Sequence, residues 1–203
     1  RADRREAAAV AAFPPEGQFV EVAGRRLHVV VSGQGPDLVL IHGASGSTRD
    51  FTFQFVDRVK DRFRVLAFDR PGLGYSERAR PGLDGPFDTR AETPAQQAIL
   101  LQAAAAQLGA DRPLVLGHSY GGAVALAWAL ERPRDLSGLL ILSGVSNPWP
   151  GKLGAFYTVN ASALGGALVV PLLTAFAPES RVSEAVTGVF APQDPPPGYA
   201  DYI

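Results

Sequence analysis

Residues 113–126, PLVLGHSYGGAVAL, decide how the rest of the chain reads. Residues 114–116 are a short continuous apolar run, the pattern of a strand covered on both faces. Residues 121–131 are small and apolar, and they read as a helix. Between the two stands Gly117-His118-Ser119-Tyr120-Gly121. A bend that tight holds its central residue in a strained backbone conformation. Gly117, Gly121 and Gly122 supply room where a Cβ would collide. The Ser119 hydroxyl is then lifted to the carboxyl edge of a sheet, at a helix N-terminus that favours negative charge. A tight turn with an incidental serine is the competing reading. The strand and helix on either side favour Ser119 as a nucleophile.

Working outward, strands and helices alternate. Residues 19–22 and 26–32 read as strands around a turn at Gly24, and residues 38–41, 65–68 and 139–142 as further strands. Residues 50–62 carry Phe51, Phe55, Val56 and Val59 on one stripe, which predicts a helix. Thr93-Pro94-Ala95-Gln96 has the form of a capping box with proline at the first helical position. That helix should run to about Leu108, with Gly109 as its stop. The alternation predicts an α/β fold, a mostly parallel central sheet with helices on both faces. Residues 1–18 read as an N-terminal arm, 19–147 as the core and 148–203 as the start of a helical cap. His28 alternates along an early strand and reads as half-exposed. From Leu153 to Pro178 no residue is charged. Glycines, Pro171 and the polar Thr158, Asn160 and Ser162 argue against a membrane span, and the segment reads as a buried helical lobe packed on the main domain. Trp149, Phe156 and Tyr157 are candidates to shape a pocket there.

Composition bounds the function. The chain has 203 residues, 46% of them hydrophobic and 19% charged, enough for one packed domain or a domain with an inserted lobe. A formal net charge of −1 gives no field that would draw it to nucleic acid or an anionic membrane, so no nucleic-acid partner is expected. Cysteine is absent, which excludes disulfides, thiolate catalysis and cysteine-based metal sites. No metal or organic cofactor is expected. Methionine is absent too, which leaves room for a signal or membrane anchor ahead of Arg1. The domain itself reads as soluble, either cytoplasmic or envelope-facing.

An acyl-transfer site needs donors for the oxyanion of its tetrahedral intermediate. The Tyr120 amide, directly after the nucleophile, is one candidate. The loop His42-Gly43-Ala44-Ser45-Gly46 ends an earlier strand, and Gly43 lets the backbone approach closely, so the Ala44 amide is the second. A flexible turn or a phosphate loop would also use such glycines, but no lysine follows Gly46 as a phosphate loop requires.

In order and spacing, residues 42–46, 69–76 and 117–122 resemble the α/β-hydrolase superfamily, in particular its esterase, haloperoxidase-like and epoxide-hydrolase-like branch. The resemblance covers about residues 19–143. It implies a cap inserted after the sixth strand, where residues 153–202 fall. It also implies a structural hydrogen bond for His42 and a loop-supporting role for Asp69. Haloalkane dehalogenases and epoxide hydrolases carry Asp at the nucleophile position. Ser119 therefore points to ester, lactone or thioester substrates.

Serine needs a base, and the base an orienting acid. The order in this fold is serine, acid, histidine. The three histidines, His28, His42 and His118, all precede Ser119, and the stretch Ser143-Gly144-Val145-Ser146-Asn147 holds no carboxylate. The family's last strands, bearing both groups, are absent from this chain. The expectation is a carboxylesterase- or lipase-like serine hydrolase acting on a small-molecule acyl substrate, with a C-terminal segment supplying Asp and His. The alternative is a non-catalytic scaffold that binds a small apolar ligand or a protein partner.

Overall fold

The computed structural model describes residues 2–80, 92–147, 151, 154–160, 162–176 and 179–203. They fall into two compact units, the larger within residues 15–149 and the smaller formed by residues 1–14 with the chain from residue 150 onward. Helix α1 (Ala2–Ala12) belongs to the smaller unit.

Strands β1 (Gln18–Val22), β2 (Arg25–Ser32) and β3 (Asp37–Ile41) open the larger unit. Helices α2 (Arg49–Thr52) and α3 (Phe55–Val59) lead to β4 (Arg64–Phe68). Then follow α4 (Pro94–Gln107), β5 (Leu114–His118), α5 (Tyr120–Glu131) and β6 (Gly138–Leu142). One sheet forms, in the order β1-β2-β4-β3-β5-β6. β2 runs antiparallel to β1 and β4, and the other pairs are parallel. The expected α/β architecture with a mostly parallel sheet is thus the one observed.

The unbroken apolar runs have a geometric cause. Successive strand residues face opposite sides, so a strand covered on both sides must be apolar throughout. Val39, Ile41, Leu66, Phe68 and Val115 pack beneath Leu101, Ala105, Val124 and Trp128 of α4 and α5. Their neighbours Leu38, Leu40, Val65, Ala67 and Leu116 pack on the other side against Phe51 and Val56. Each fully buried Leu, Ile or Phe contributes about 1.5–3 kcal/mol. On β6 the cover thins: Leu140 and Leu142 are 44% and 47% exposed on this edge strand of the described sheet.

Helix α4 starts as its sequence demands. Thr93 Oγ1 accepts from the Gln96 amide at 3.2 Å, and Gln96 Oε1 accepts from the Thr93 amide at 3.0 Å. Gly109 follows with φ +78°, the left-handed stop. The helix expected over residues 50–62 is instead two short pieces. Gln54 steps out to φ −150° between α2 and α3, in a stretch of phenylalanines, Thr52 and Val56 that hold a helix weakly.

The smaller unit also holds α6 (Ala155–Asn160), a π-helical turn (Gly165–Val169), α7 (Val170–Phe176), α8 (Glu179–Phe190) and α9 (Tyr199–Tyr202). The lobe is helical as expected, and Ala175 and Val186 are buried in it, but other apolar side chains are not. Leu164, Leu172 and Phe176 are 67%, 58% and 59% exposed. A helix apolar on every side needs neighbours on every side. α7 packs along α1 and continues the π-helical turn, which leaves its outer positions uncovered. No helix among the described residues is long and apolar enough to cross a membrane. Trp149 and the side chains of Phe156 and Tyr157 lie outside the described residues, as does the Gly/Pro-rich stretch 81–91.

Candidate active site

Ser119 sits between β5 and α5 with φ 51° and ψ −119°. A non-glycine residue in that region costs on the order of 1–3 kcal/mol and persists only when its surroundings hold it. They do. The Ser119 amide donates to Leu142 O at 2.9 Å, and Ser119 O accepts from Gly122 N at 2.9 Å and Val145 N at 3.1 Å. A Cβ on Gly121 would strike the carbonyl oxygens of Ile41 and His42. The first turn of α5 therefore lies hard against the end of β3, which is why glycine stands there. Ser119 is half-buried, and its hydroxyl has no hydrogen-bond partner among the described residues.

The loop after β3 meets this bend. A Cβ on Gly43 would lie 3.1 Å from Ser119 Cβ and 3.3 Å from His118 Nδ1. The two expected oxyanion donors thus belong to segments that converge. Ala44 follows Gly43 directly, and Tyr120 opens α5 at a position whose amide has no intrahelical partner. Neither amide has a hydrogen-bond partner among the described residues.

The histidines hold other posts. His28 is not half-exposed: it is buried at 1% exposure. Its Nε2 accepts the Gly17 amide at 3.1 Å, which puts the ring proton on Nδ1, 2.8 Å from Asp69 Oδ2. Alternation along β2 hid this, because Asp69 is far away in sequence. Asp69 supports its loop as the resemblance implies, accepting also from the amides of Thr48 at 2.7 Å and Tyr75 at 2.9 Å. Burial works against its charge, but the bonds from His28, Tyr75 and Thr48 prevail and hold it below the usual carboxylate range.

His42 is fully buried. Its Nε2 accepts the Arg70 amide at 2.9 Å, so Nδ1 carries the proton and donates to Gly43 O at 2.9 Å. Both ring nitrogens are engaged, and neither serves Ser119. His118 is exposed beside Ser119, with no hydrogen-bond partner among the described residues. Among those residues no three His, Asp or Glu side chains converge as a metal site requires.

Burial, reinforced by the Arg70 charge, lowers His42 to about 4. An unfolded histidine titrates near 6.5. Between those values the unfolded chain takes up a proton that the native site refuses. Stability should therefore be intact above about pH 6.5 and fall as pH drops towards 4, by on the order of 3 kcal/mol from this group. Urea unfolding at each pH checks this. The His42→Gln variant should lack that part of the slope, and an unchanged slope would assign the effect elsewhere.

Sequence reading gave Arg70 no role. It is 3% exposed, yet it donates from Nε to His42 O at 2.9 Å, from Nη2 to Gly43 O at 2.8 Å and from Nη1 to Gln97 Oε1 at 2.9 Å. Its guanidinium lies 4.7 Å from the centre of the Tyr120 ring. The signal in the sequence is an arginine two residues past the end of β4, a strand covered on both faces.

Strand order, the strand–turn–helix bend after β5 and the loop after β3 define an α/β fold of the hydrolase type. The sequence profile of the alpha/beta hydrolase fold matches residues 36–160, and the chain belongs to that family. It is 36% identical over 118 residues to the proline iminopeptidase of Saccharolobus solfataricus, covering 58% of this chain and 36% of that protein. It is 30% identical over 138 residues to haloalkane dehalogenase 2 of Mycobacterium tuberculosis, covering 68% and 43%. Among solved structures, Est816, an N-acyl homoserine lactone degrading enzyme, matches with TM-score 0.53 at 26% identity, over 63% of this chain and 45% of that one. The chain spans about 36–43% of the length of these two curated relatives.

Proposed function

We propose that the protein is a serine hydrolase acting on carboxylic esters, lactones or thioesters through an acyl-enzyme. Ser119 Oγ attacks the carbonyl carbon, and the C=O electrons move onto oxygen. The amides of Ala44 and Tyr120 hold that oxyanion. A histidine takes the serine proton and gives it to the leaving alkoxide or thiolate as the scissile bond breaks. Water, activated by the same base, then attacks the acyl-enzyme, releasing the acid and restoring Ser119. The base and its orienting carboxylate are assigned to polypeptide following Ile203. Two facts support that assignment: no described histidine is hydrogen-bonded to Ser119, and the chain spans less than half of each of these relatives.

The observation that carries the reading is the positive-φ backbone of Ser119 at the strand-to-helix bend, beside two amides with no hydrogen-bond partner among the described residues. The acyl substrate named for Est816 fits the same class. A substrate panel on the full natural polypeptide tests it. Turnover of p-nitrophenyl butyrate or an N-acyl homoserine lactone, with none of a bromoalkane or an epoxide, is the expected result. The opposite preference would overturn it. Tight binding of an apolar ligand with no turnover at all would establish the non-catalytic scaffold.

A further inference from the structure

We propose that Arg70 is a positioning residue for the oxyanion site, aiming its Ala44 amide donor from behind; this rests on the serine-hydrolase reading above. The argument starts from peptide geometry. A trans peptide is planar, and its C=O and N–H point in opposite directions. Gly43 O and the Ala44 amide belong to one peptide, so whatever fixes Gly43 O fixes where the Ala44 N–H points. Gly43 O accepts from Arg70 Nη2 at 2.8 Å and from His42 Nδ1 at 2.9 Å, with Gly46 N at 3.4 Å. Arg70 Nε takes the preceding carbonyl, His42 O, at 2.9 Å. One guanidinium thus pins two successive peptides, and the Ala44 N–H is turned to the side away from Arg70.

The same side chain also packs on the ring of Tyr120, whose own amide is set by the bonds from Gly122 N and Val145 N to Ser119 O. Tyr120 lays its ring over the guanidinium, 4.7 Å from ring centre to Cζ. Gln97 Oε1, from α4, holds Nη1 at 2.9 Å and keeps the fork in plane. A rigid fork suits this task, whereas a lysine ammonium is a point charge that cannot pin two carbonyls in fixed directions. The charge also polarises the Gly43–Ala44 peptide, which strengthens its N–H as a donor. At 3% exposure Arg70 is sealed beneath the site, so it acts through the Ala44 amide and not on substrate.

The test compares Arg70→Met and Arg70→Lys with wild type in the full natural polypeptide, using p-nitrophenyl butyrate and butylboronic acid, which becomes tetrahedral on a serine. A group that aims oxyanion donors matters in the transition state and little in the ground state. Removing an oxyanion donor outright costs about 10²–10³ in turnover, so losing its aim should cost roughly 10–100-fold in kcat with KM within about threefold. Boronate affinity should fall by the same factor as kcat/KM. Arg70→Lys keeps a buried cation without the fork, and should fold with a lowered melting temperature and lose about tenfold in both readouts. It keeps the test decisive if Arg70→Met does not fold. A folded variant with wild-type kcat and boronate affinity, or a kcat loss with boronate binding unchanged, would overturn the proposal. Ser119→Ala, run alongside, keeps the two readings apart: turnover surviving there would sink the serine-hydrolase reading itself.

Discussion

Ser119→Ala is expected to lower ester turnover by on the order of 10⁶, the scale seen when a serine protease loses its nucleophile. That factor corresponds to about 8 kcal/mol of barrier. The loss should come without loss of the fold. Alanine at φ 51° is strained as serine is, and the backbone bonds from Ser119 to Leu142, Gly122 and Val145 do not involve the hydroxyl. The hydroxyl has no partner among the described residues, so its removal orphans nothing there. Thermal stability should stay within about 0.5 kcal/mol of wild type. Initial rates and a melting curve measure both. A variant keeping more than about one part in a hundred of wild-type turnover would place the nucleophile elsewhere.

Ala44→Pro is expected to cost about 3 kcal/mol of transition-state stabilisation, roughly a hundredfold in kcat. Proline deletes the amide hydrogen and leaves the carbonyl. The donor serves the oxyanion more than the ground-state carbonyl, so KM should change little. Ala44→Gly retains the amide and should stay within about fivefold of wild type, which separates loss of the donor from disturbance of the loop. Steady-state kinetics of the two variants decide the point. Equal activities would remove Ala44 from the oxyanion site.

What could be read from the sequence was local. The bend at Ser119 needs only a strand, a serine among glycines and a helix, all within residues 113–131. The α4 capping box is equally local, with Thr93 and Gln96 three residues apart. Long-range pairings could not be read this way. His28 looked half-exposed because alternation along β2 takes no account of Asp69, and that bond exists only once β2 lies beside β4. Arg70 is not legible in the sequence for the same reason: its partners come from the ends of β3, α4 and α5, which the fold brings together. In the charge-free lobe, apolar composition alone does not tell which side chains are covered: Ala175 is buried while Leu164 and Leu172 are exposed.

Peptide mapping after treatment with a fluorophosphonate probes the central claim most directly. The phosphonyl group should sit on Ser119, in one modified peptide per chain, and should be missing from Ser119→Ala. A phosphonyl mass on any other residue, or labelling that survives in Ser119→Ala, would contradict the account.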